Sequence, residues 1–377
     1  MAFGRKNHVN TNPTAYNVML LGEPKIGKTT VMMEALQKLV GDQFLFVELG
    51  REKGADAIEG IPYINCPTWS MDYDEATNSI GWSELVDDIC DNPTDYNLKV
   101  LVMDTYDQYI SIAEDESLRL WNKDNPDKRA KSLNASWGGF GAGSKKAIEI
   151  MFEQADRLEA VGVKVWWVGH VKNKSLTDIA TGETYEVLTS DQQQNYFNAL
   201  KKNLHFLGLA YVDREIIKEK TGKKNIVTKK EETKSVVSQE TRKIKFRDDN
   251  FCIDSGSRFK DIVSQVDLDA EQFVNAMMDA IKAEQVKSGK TFEESKKENE
   301  EAEVAKLKEI AETEKAKKAK KSVDEVINRL LDYIKANKTT MTKIKPILEK
   351  AKELGYTNPT EVNKLEDAEA LLALIEE

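Results

Sequence analysis

The sequence has few of the residues that build metal clusters and disulfide frameworks. Its 377 residues include three cysteines and three histidines. They are Cys66, Cys90, Cys252, His8, His170 and His205. Zinc sites and disulfide scaffolds need such residues in closely spaced sets, and these six are isolated from one another. The composition therefore indicates neither a disulfide-stapled protein nor a CxxC metal site.

The chain also lacks long apolar runs and an excess of positive charge. No run approaches the ~20 residues that cross a bilayer, and the opening MAFGRKNHVN has no apolar signal-peptide core. We therefore expect a cytoplasmic protein with no membrane partner. The net charge of -10 argues against a surface that coats DNA uniformly. A local basic groove stays compatible with it, because binding depends on the field at the site.

One segment near the start places glycines where an apolar strand pattern changes to a helical one. In YNVMLLGEPKIGKTTVMMEAL, the run Val18 to Leu21 enters Gly22, and Gly27 precedes Lys28. The spacing matches G-x-x-x-x-G-K-[ST] in full. Glycines let the backbone curl so that its N–H groups surround anionic oxygens, and the start of the next helix adds free amides. The pattern predicts a nucleotide-binding loop, called the P-loop from here on, with a turn that binds nothing as the alternative.

Two side chains of this segment have expected roles towards ATP and magnesium (Mg2+). Lys28 brings an ammonium group to the terminal phosphates, and Thr29 offers its hydroxyl to the cation. The predicted nucleotide-binding residues are Gly22, Glu23, Pro24, Lys25, Ile26, Gly27, Lys28, Thr29 and Thr30.

A second motif, KVLVMDTYDQY, ends an apolar strand in a carboxylate. We expect Asp104 to lie at the carboxyl edge of its strand, beside the phosphate loop on a neighbouring strand. There it would hold, through water, the magnesium ion that Thr29 also binds. Capping of the following helix is the alternative role, and Asp107 is the second choice for the carboxylate.

Two glutamates are candidates for orienting the water that attacks ATP. They follow the second strand, in FLFVELGREKGADAI, and we expect that strand to lie next to the P-loop strand. Glu52 is preferred because it lies beyond the apolar run, in a turn able to reach over the phosphates. Glu48 lies nearer the strand interior, where it could be a structural carboxylate. A surface salt bridge is the alternative for each.

The segment VKVWWVGHVKNK ends another strand in a polar residue. His170 would present a hydrogen-bonding group at the same sheet edge and sense the γ-phosphate for the loop that follows. A purely structural histidine is the alternative. Trp166 and Trp167 lie inside the strand and are expected to be core residues.

The pattern along residues 16–283 predicts alternating strands and helices. Expected strands are Val18–Leu21, Phe44–Leu49, Lys99–Met103 and Val163–Val168, and expected helices are Val31–Val40, Trp82–Cys90 and Lys145–Ala160. This alternation is typical of a mainly parallel sheet covered on both faces. After Leu207, AYVDREIIKE and TRKIKFR predict antiparallel edge strands joined by a turn at TGKKN.

Four regions are expected: an N-terminal tail (1–13), a nucleotide-binding domain (14–283), a charged helix or partly disordered linker (284–321) and a small helical domain (322–377). The linker is dominated by Lys, Glu and Ala, which supply too few apolar groups for a core. The last region has three short helical patterns, SVDEVINRLLDYIKANK, TMTKIKPILEKAKELG and LEDAEALLALIEE.

Several motifs together resemble the phage-encoded RecA-type P-loop ATPases, relatives of the RecA/RadA recombinase core that include single-strand annealing proteins. The motifs are GEPKIGKTT, GREKGADAIEGIPYINCPTW, VLVMDTYDQY, WGGFGAGSKKAIEI, VWWVGHVKNK and DSGSRFKD, spread over residues 14–265. The resemblance implies a RecA-like core with Walker A at Gly22–Thr30, Walker B at Asp104 and a sensor at His170.

The same resemblance implies a partner and an assembly. Loops at 122–146 and 172–203 fall where recombinases contact single-stranded DNA. Phosphate contacts are expected from Lys123, Lys128, Arg129, Lys131, Lys172 and Lys174. Tyr196 and Phe197 are candidates for base stacking, with core packing as the alternative for Phe197. Arg258 or Lys260 is expected to complete a neighbouring subunit's site in a homo-oligomer, with a local salt bridge as the alternative.

Two functions follow. The first is a magnesium-dependent, DNA-stimulated ATPase of phage recombination or replication. The second is a nucleotide-controlled interaction protein that switches a protein partner through its helical C-terminal region. A small-molecule kinase is disfavoured, because the sequence shows no separate lid for an acceptor substrate.

Overall fold

A computed structural model describes residues 7–178, 181–224, 231–247, 253–337 and 341–376. The strands are β1 (Val18–Gly22), β2 (Phe44–Leu49), β3 (Tyr63–Cys66), β4 (Val100–Asp104), β5 (Lys164–Thr177), β6 (Thr184–Ser190), β7 (Phe206–Lys224), β8 (Glu231–Lys245), β9 (Gly256–Ser257) and β10 (Gln265–Asp267). The helices are α1 (Lys28–Val40), α2 (Trp82–Asp91), α3 (Pro93–Tyr96), α4 (Tyr106–Asp124), α5 (Ala142–Ala160), α6 (Gln194–Lys201), α7 (Ala270–Gln285), α8 (Phe292–Ala336), α9 (Met341–Glu353) and α10 (Leu365–Glu376).

The chain divides into two compact units. The first consists of residues 1–90 and 97–303, and the second of residues 91–96 and 304–377. No helix in the described part of the chain has the length and apolar character needed to cross a membrane.

The first unit is built on one sheet with the strand order β10-β8-β7-β1-β5-β4-β2-β3. The strands from β7 to β3 run parallel, whereas β8, β10 and the off-path strands β6 and β9 pair antiparallel. Strands β1 and β4 are buried at every position, as expected for apolar runs with helices on both faces. The predicted α/β core, with its mainly parallel sheet, antiparallel edge and helical C-terminal part, is confirmed.

The strand order corrects two expectations. Strand β5 lies between β1 and β4, so Asp104 is not on a strand adjacent to the P-loop strand. Strand β2 pairs with β4 and β3, so the expectation that it neighbours the P-loop strand was also wrong. Sheet order depends on contacts between distant segments, and local sequence patterns do not encode it.

Several elements are longer than the sequence predicts. Strand β5 continues past Val168 to Thr177 and pairs antiparallel with β6. Residues 221–224 of the expected TGKKN turn belong to β7, and residue 225 lies outside the described residues. The first of the three short C-terminal helical patterns is the end of the 45-residue helix α8.

The second unit has its own small core, which the end of α8 shares with α9 and α10. Its buried residues include Leu330, Ile347, Ala351 and Leu371. The boundaries expected at 283 and 321 remain predictions.

Candidate nucleotide-binding site

The loop between β1 and α1 has the backbone geometry that its glycines allow. Gly27 has φ 113°, in the left-handed region, and directly precedes the first residue of α1. Gly22 is confined instead by space, since a Cβ there would lie 3.0 Å from both the Cβ and the carbonyl oxygen of Ala210. The helix therefore begins directly against the loop, with its first N–H groups available to an anion.

Lys28 lies inside this loop. Its side chain is buried, and Nζ donates to the carbonyl oxygens of Gly22 at 3.0 Å and Glu23 at 2.9 Å. Burial lowers the pKa of Lys28, an effect opposed by the charges of Asp104, Asp107 and other nearby carboxylates. The ammonium group is thus held at the loop by carbonyls that a phosphate oxygen could replace.

The two predicted magnesium ligands meet directly. The Thr29 hydroxyl donates to Asp104 Oδ2 at 2.8 Å, although the strands before them are separated by β5. Burial raises the pKa of Asp104 to about 6, with further contributions from Glu52 and Glu48. Asp104 is therefore a buried carboxyl group whose negative charge is disfavoured by its surroundings, the condition that a cation would relieve.

The two glutamates have different surroundings. Glu48 is buried on β2, and its Oε1 accepts a hydrogen bond from the backbone N–H of Ala55 at 2.6 Å. Burial raises the pKa of Glu48. Glu52 is partly exposed, and a Cβ at Gly54 would lie within 3.8 Å of Glu52 Oε1, Thr29 Oγ1 and Asp104 Oδ2. Glu52 thus lies beside the Thr29–Asp104 pair, while Glu48 holds the turn that carries it.

His170 lies on β5 opposite Gly22 of the P-loop strand. Both its backbone N–H, at 2.9 Å, and its ring Nδ1, at 2.8 Å, contact Asp107 Oδ2. Asp107 Oδ1 accepts from the Gln192 side chain at 2.9 Å. A continuous hydrogen-bonded chain therefore runs from the P-loop edge, through the second-choice carboxylate Asp107, to the loop before α6. Trp166 and Trp167 of the same strand, which were expected to be core residues, are buried.

Arg258 lies far from this site in the same chain. Ser257 pairs with Phe206, which is level with Val18 at the end of the sheet opposite the P-loop. The Arg258 side chain donates to the carbonyl oxygens of Leu204, at 3.0 Å, and Lys202. The guanidinium is thus engaged with backbone carbonyls, and a role towards a phosphate group would have to be played in a second subunit.

Sequence reasoning missed three residues. Arg242 of β8 donates from Nη1 to the Ile26 carbonyl oxygen of the P-loop at 3.1 Å, across 216 positions in sequence. Gln192 completes the chain from His170. The Thr105 hydroxyl, next to Asp104, is buried and has no hydrogen-bond partner. In the sequence, Arg242 is one of several cations in a predicted edge strand. Cations are common on edge strands, so nothing in that pattern pointed to a contact with the P-loop.

These residues fit a magnesium ion bound together with phosphate groups. Asp104 and Thr29 supply oxygen atoms for a cation, and the buried Thr105 hydroxyl next to Asp104 lacks a hydrogen-bond partner that a bound group could supply. Among the described residues there is no cluster of three or more His, Cys, Asp or Glu side chains suited to a metal. The remaining ligands would therefore come from phosphate and water, as is usual for magnesium.

The two loops expected to contact DNA lie in the same unit. Strand β5 runs parallel to β1 and continues past the level of Gly22. The antiparallel pair that it forms with β6, which belongs to the second of these loops (172–203), therefore extends from the P-loop edge of the sheet. Tyr196 and Phe197 are buried in the core, so the expectation that Tyr196 stacks on bases was wrong, while the core packing given as the alternative for Phe197 is confirmed. Lys172 donates to the Asp191 carbonyl oxygen and Lys174 to Gln194 Oε1.

Comparison with known proteins gives a family and a distant structural likeness. Residues 14–239 match the AAA domain family. Among proteins of curated function, none matches the chain. A KaiC-like protein from the archaeon Pyrococcus horikoshii OT3 is similar over 63% of this chain and 94% of its own, with 15% identity and a TM-score of 0.30. The fold is assigned from the strand order and direction of the sheet itself.

Proposed function

The chain belongs to the AAA domain family, and from that premise we propose that it is a magnesium-dependent ATPase acting on single-stranded DNA. The observation that carries the hydrolytic part is the meeting of Thr29 with Asp104 below the P-loop, with Glu52 beside them. A nucleotide site needs a phosphate-binding loop, two oxygen ligands for a cation and a group that orients water. These residues supply all of them in one place.

Each residue then has a role in hydrolysis. The P-loop amides and Lys28 bind the phosphates of ATP, while Thr29 and Asp104 hold the magnesium ion. When bound, that ion neutralises charge on the phosphate oxygens. Glu52 orients the attacking water, and His170 relates the phosphate end of the site to Asp107, Gln192 and the second loop.

The proposed DNA contact rests on local charge. Segment 122–146 carries six basic and two acidic residues, within a chain of net charge -10. Its cations Lys123, Lys128, Arg129 and Lys131 are exposed. Phosphate contacts of this kind bind nucleic acid without sequence preference and weaken steeply with salt. We propose a homo-oligomer in which Arg258 or Lys260 of one subunit serves the site of the next.

The test compares wild-type protein with Lys28→Ala and Lys131→Ala, measuring ATP hydrolysis with and without unlabelled single-stranded DNA. Lys28→Ala should lose nearly all turnover and much nucleotide affinity, because it removes the charge matched to the β- and γ-phosphates. Lys131→Ala is the matched loss of one lysine outside the P-loop, and its DNA-free turnover should equal wild type. Undiminished turnover in Lys28→Ala would contradict the proposed site.

A second function is favoured by the second unit, which has a core of its own around Leu330 and Leu371. A protein that uses ATP to switch a partner through this unit would bind nucleotide and hydrolyse it slowly, whether or not DNA is present. An unchanged rate at every DNA concentration, together with no DNA binding at low salt, would favour this function over the first.

A further inference from the structure

Phe140 is the aromatic residue that the first loop presents to solvent. Its side chain is fully exposed, at 107% of the reference area. The two aromatic residues considered for stacking in the second loop, Tyr196 and Phe197, are at 0% and 2%. Burying a phenylalanine side chain is favourable, and Phe140 forgoes that stabilisation entirely.

The backbone around Phe140 is strained. Five consecutive residues have positive φ: Trp137 at 55°, Gly138 at 87°, Gly139 at 81°, Phe140 at 51° and Gly141 at 80°. Glycine adopts this region freely, whereas bulky residues such as Trp and Phe rarely do. Strain of this kind persists where the surrounding structure enforces it, and it concentrates at functional sites.

The neighbouring tryptophan supplies that enforcement. Trp137 Nε1 donates to the Ser117 carbonyl oxygen of α4 at 3.1 Å, and its ring lies 5.6 Å from that of Trp121. Lys146 Nζ lies 5.8 Å from the centre of the Trp137 ring. Gly143 is fixed as well, because a Cβ there would lie 2.5 Å from the Leu133 carbonyl oxygen. The turn is therefore anchored at Trp137, and it holds Phe140 outward.

The chemistry around Phe140 matches a nucleic acid strand. Lys145, in the first turn of α5, is exposed, as are Lys128, Arg129 and Lys131 earlier in the same segment. Phe140 itself is flanked by Gly139 and Gly141, which leave both faces of the ring without bulky neighbours in sequence. A ring with accessible faces, among cations spaced along a loop, is the arrangement that binds unpaired bases and their phosphates.

We propose that Phe140 is a stacking platform for an unpaired base of single-stranded DNA, held by the Trp137 anchor and flanked by phosphate-binding lysines. The inference rests on the proposed DNA-dependent function and names the residue that contacts the bases. A protein partner is less suited to this surface, because protein interfaces bury a continuous apolar patch. The residues next to Phe140 in sequence, Gly139 and Gly141, add no apolar side chains to it.

The experiment measures binding of two oligonucleotides of equal length to the full-length protein with ATP present. One is a normal single strand containing 2-aminopurine, whose fluorescence is quenched by stacking, and the other is abasic. Phe140→Ala should bind the normal strand about 5- to 100-fold more weakly than wild type, the range expected for loss of one stacked base. It should also lose the quenching, and it should bind the abasic strand as wild type does. Phe140→Trp should restore both affinity and quenching.

Tyr73→Ala is the matched control, since it removes an exposed aromatic outside both loops, and it should bind like wild type. If wild type binds normal strands and Phe140→Ala binds them equally well, the stacking proposal fails while the proposed function stands. If wild type binds neither strand at low salt, the proposed DNA function fails, and the stacking proposal with it. A loss of oligomer mass in Phe140→Ala, with equal weakening on both strands, would instead assign Phe140 to a protein interface.

Discussion

Glu48 and Glu52 lie four positions apart on the same segment, but the structure places them in different chemical situations. Glu48 is buried and accepts from the Ala55 N–H, so it fixes the turn that follows β2. Glu52 lies within that turn, beside Thr29 and Asp104. A group that orients the attacking water must lie within reach of the phosphates. Of the two glutamates, the position of Glu52 meets this condition.

Substitution of the two glutamates separates these roles. Glu52→Gln should still bind ATP but lose at least about 100-fold in turnover, the usual range for a lost general base. Glu48→Gln should mainly lower the melting temperature, because a buried hydrogen-bond acceptor to the turn is weakened. The measurements are ATP affinity, turnover and thermal melting of both variants. Lost turnover with unchanged melting in Glu48→Gln would reverse the assignment.

The charge on Asp104 costs stability while no cation is bound. Its folded pKa of about 6 lies above the ordinary value of 3.8, so the folded state holds a proton that the unfolded state releases between about pH 4 and 6. Stability from this group is therefore lost as pH rises through that window. At pH 7.5 the cost reaches about 3 kcal/mol, from about two pKa units at about 1.4 kcal/mol each.

Asp104→Asn should remove this cost while keeping an acceptor for the Thr29 hydroxyl. Without nucleotide or magnesium, the variant should melt higher than wild type at pH 7.5, and the gap should shrink by about half at pH 5. With ATP and magnesium wild type should gain more stability than the variant, because the variant keeps the P-loop and Lys28 but has lost the carboxylate that helps to hold the magnesium ion. A variant that melts lower than wild type at pH 7.5 would contradict the buried-charge argument.

At the scale of residues, the sequence predicted what is local. The P-loop is a contiguous motif, and its glycines and lysine lie within eight positions of one another. The structure also brings Thr29 to Asp104, the two residues that the sequence predicts to hold magnesium together. Arg242, Gln192 and Phe140 were not predicted. The first two act through partners that are distant in sequence, and the exposure of Phe140 depends on a backbone that only the folded turn defines.

At the scale of elements, strands and helices were predicted well where one periodicity persists. Strand β2 matches its expected bounds, and α1 extends from the apolar pattern Val31–Val40 back to Lys28, where the helix was expected to start. The helix runs back to Lys28 because the polar residues of its first turn interrupt the apolar spacing without interrupting the helix. The position of β5 between β1 and β4 could not be predicted, because the apolar pattern of a buried strand is the same whichever strands lie beside it.

The antiparallel edge has a consequence for the P-loop. Strand β8 supplies Arg242, which donates to the Ile26 carbonyl oxygen, and the β8 backbone also accepts the N–H of Leu268, whose side chain lies against Gly27. Two sides of the loop are therefore held by edge elements. A phosphate loop binds well when its amides are already in position, so these contacts should affect ATP affinity more than the chemical step.

Arg242→Ala should raise the KM for ATP about three- to ten-fold with little change in kcat, as expected for loss of one hydrogen bond worth roughly 1 kcal/mol. Arg214→Ala is the matched control, because it removes a cation of the same hairpin that pairs with Glu240. Its KM should equal that of wild type. A fall in kcat at constant KM in Arg242→Ala would assign the arginine to catalysis instead.

At the scale of the whole molecule, the expected end of the nucleotide-binding domain can be compared with the contacts made by the residues that follow it. The expected boundary at 283 follows the change to a Lys, Glu and Ala-rich sequence. Yet Gln285 is buried and its amide donates to Ser295 Oγ at 2.6 Å, while Asn299 donates to Thr11 and Lys99 pairs with Glu303. A helix with a highly charged sequence can still pack along one of its faces. The average composition of the segment does not show which residues lie on that face.

Two truncations test where the nucleotide-binding unit ends. A chain of residues 1–303 keeps these contacts, so it should bind ATP like the full chain and melt as one transition. A chain of residues 1–283 removes Gln285 and all its partners, and it should melt several degrees lower, since about 1 kcal/mol shifts the melting temperature of a domain this large by roughly 2–4 °C. Both contain every proposed ATP and DNA contact, so lower DNA binding by 1–303 would instead place part of the DNA site in residues 304–377. Equal melting of the two chains would support the expected boundary at 283.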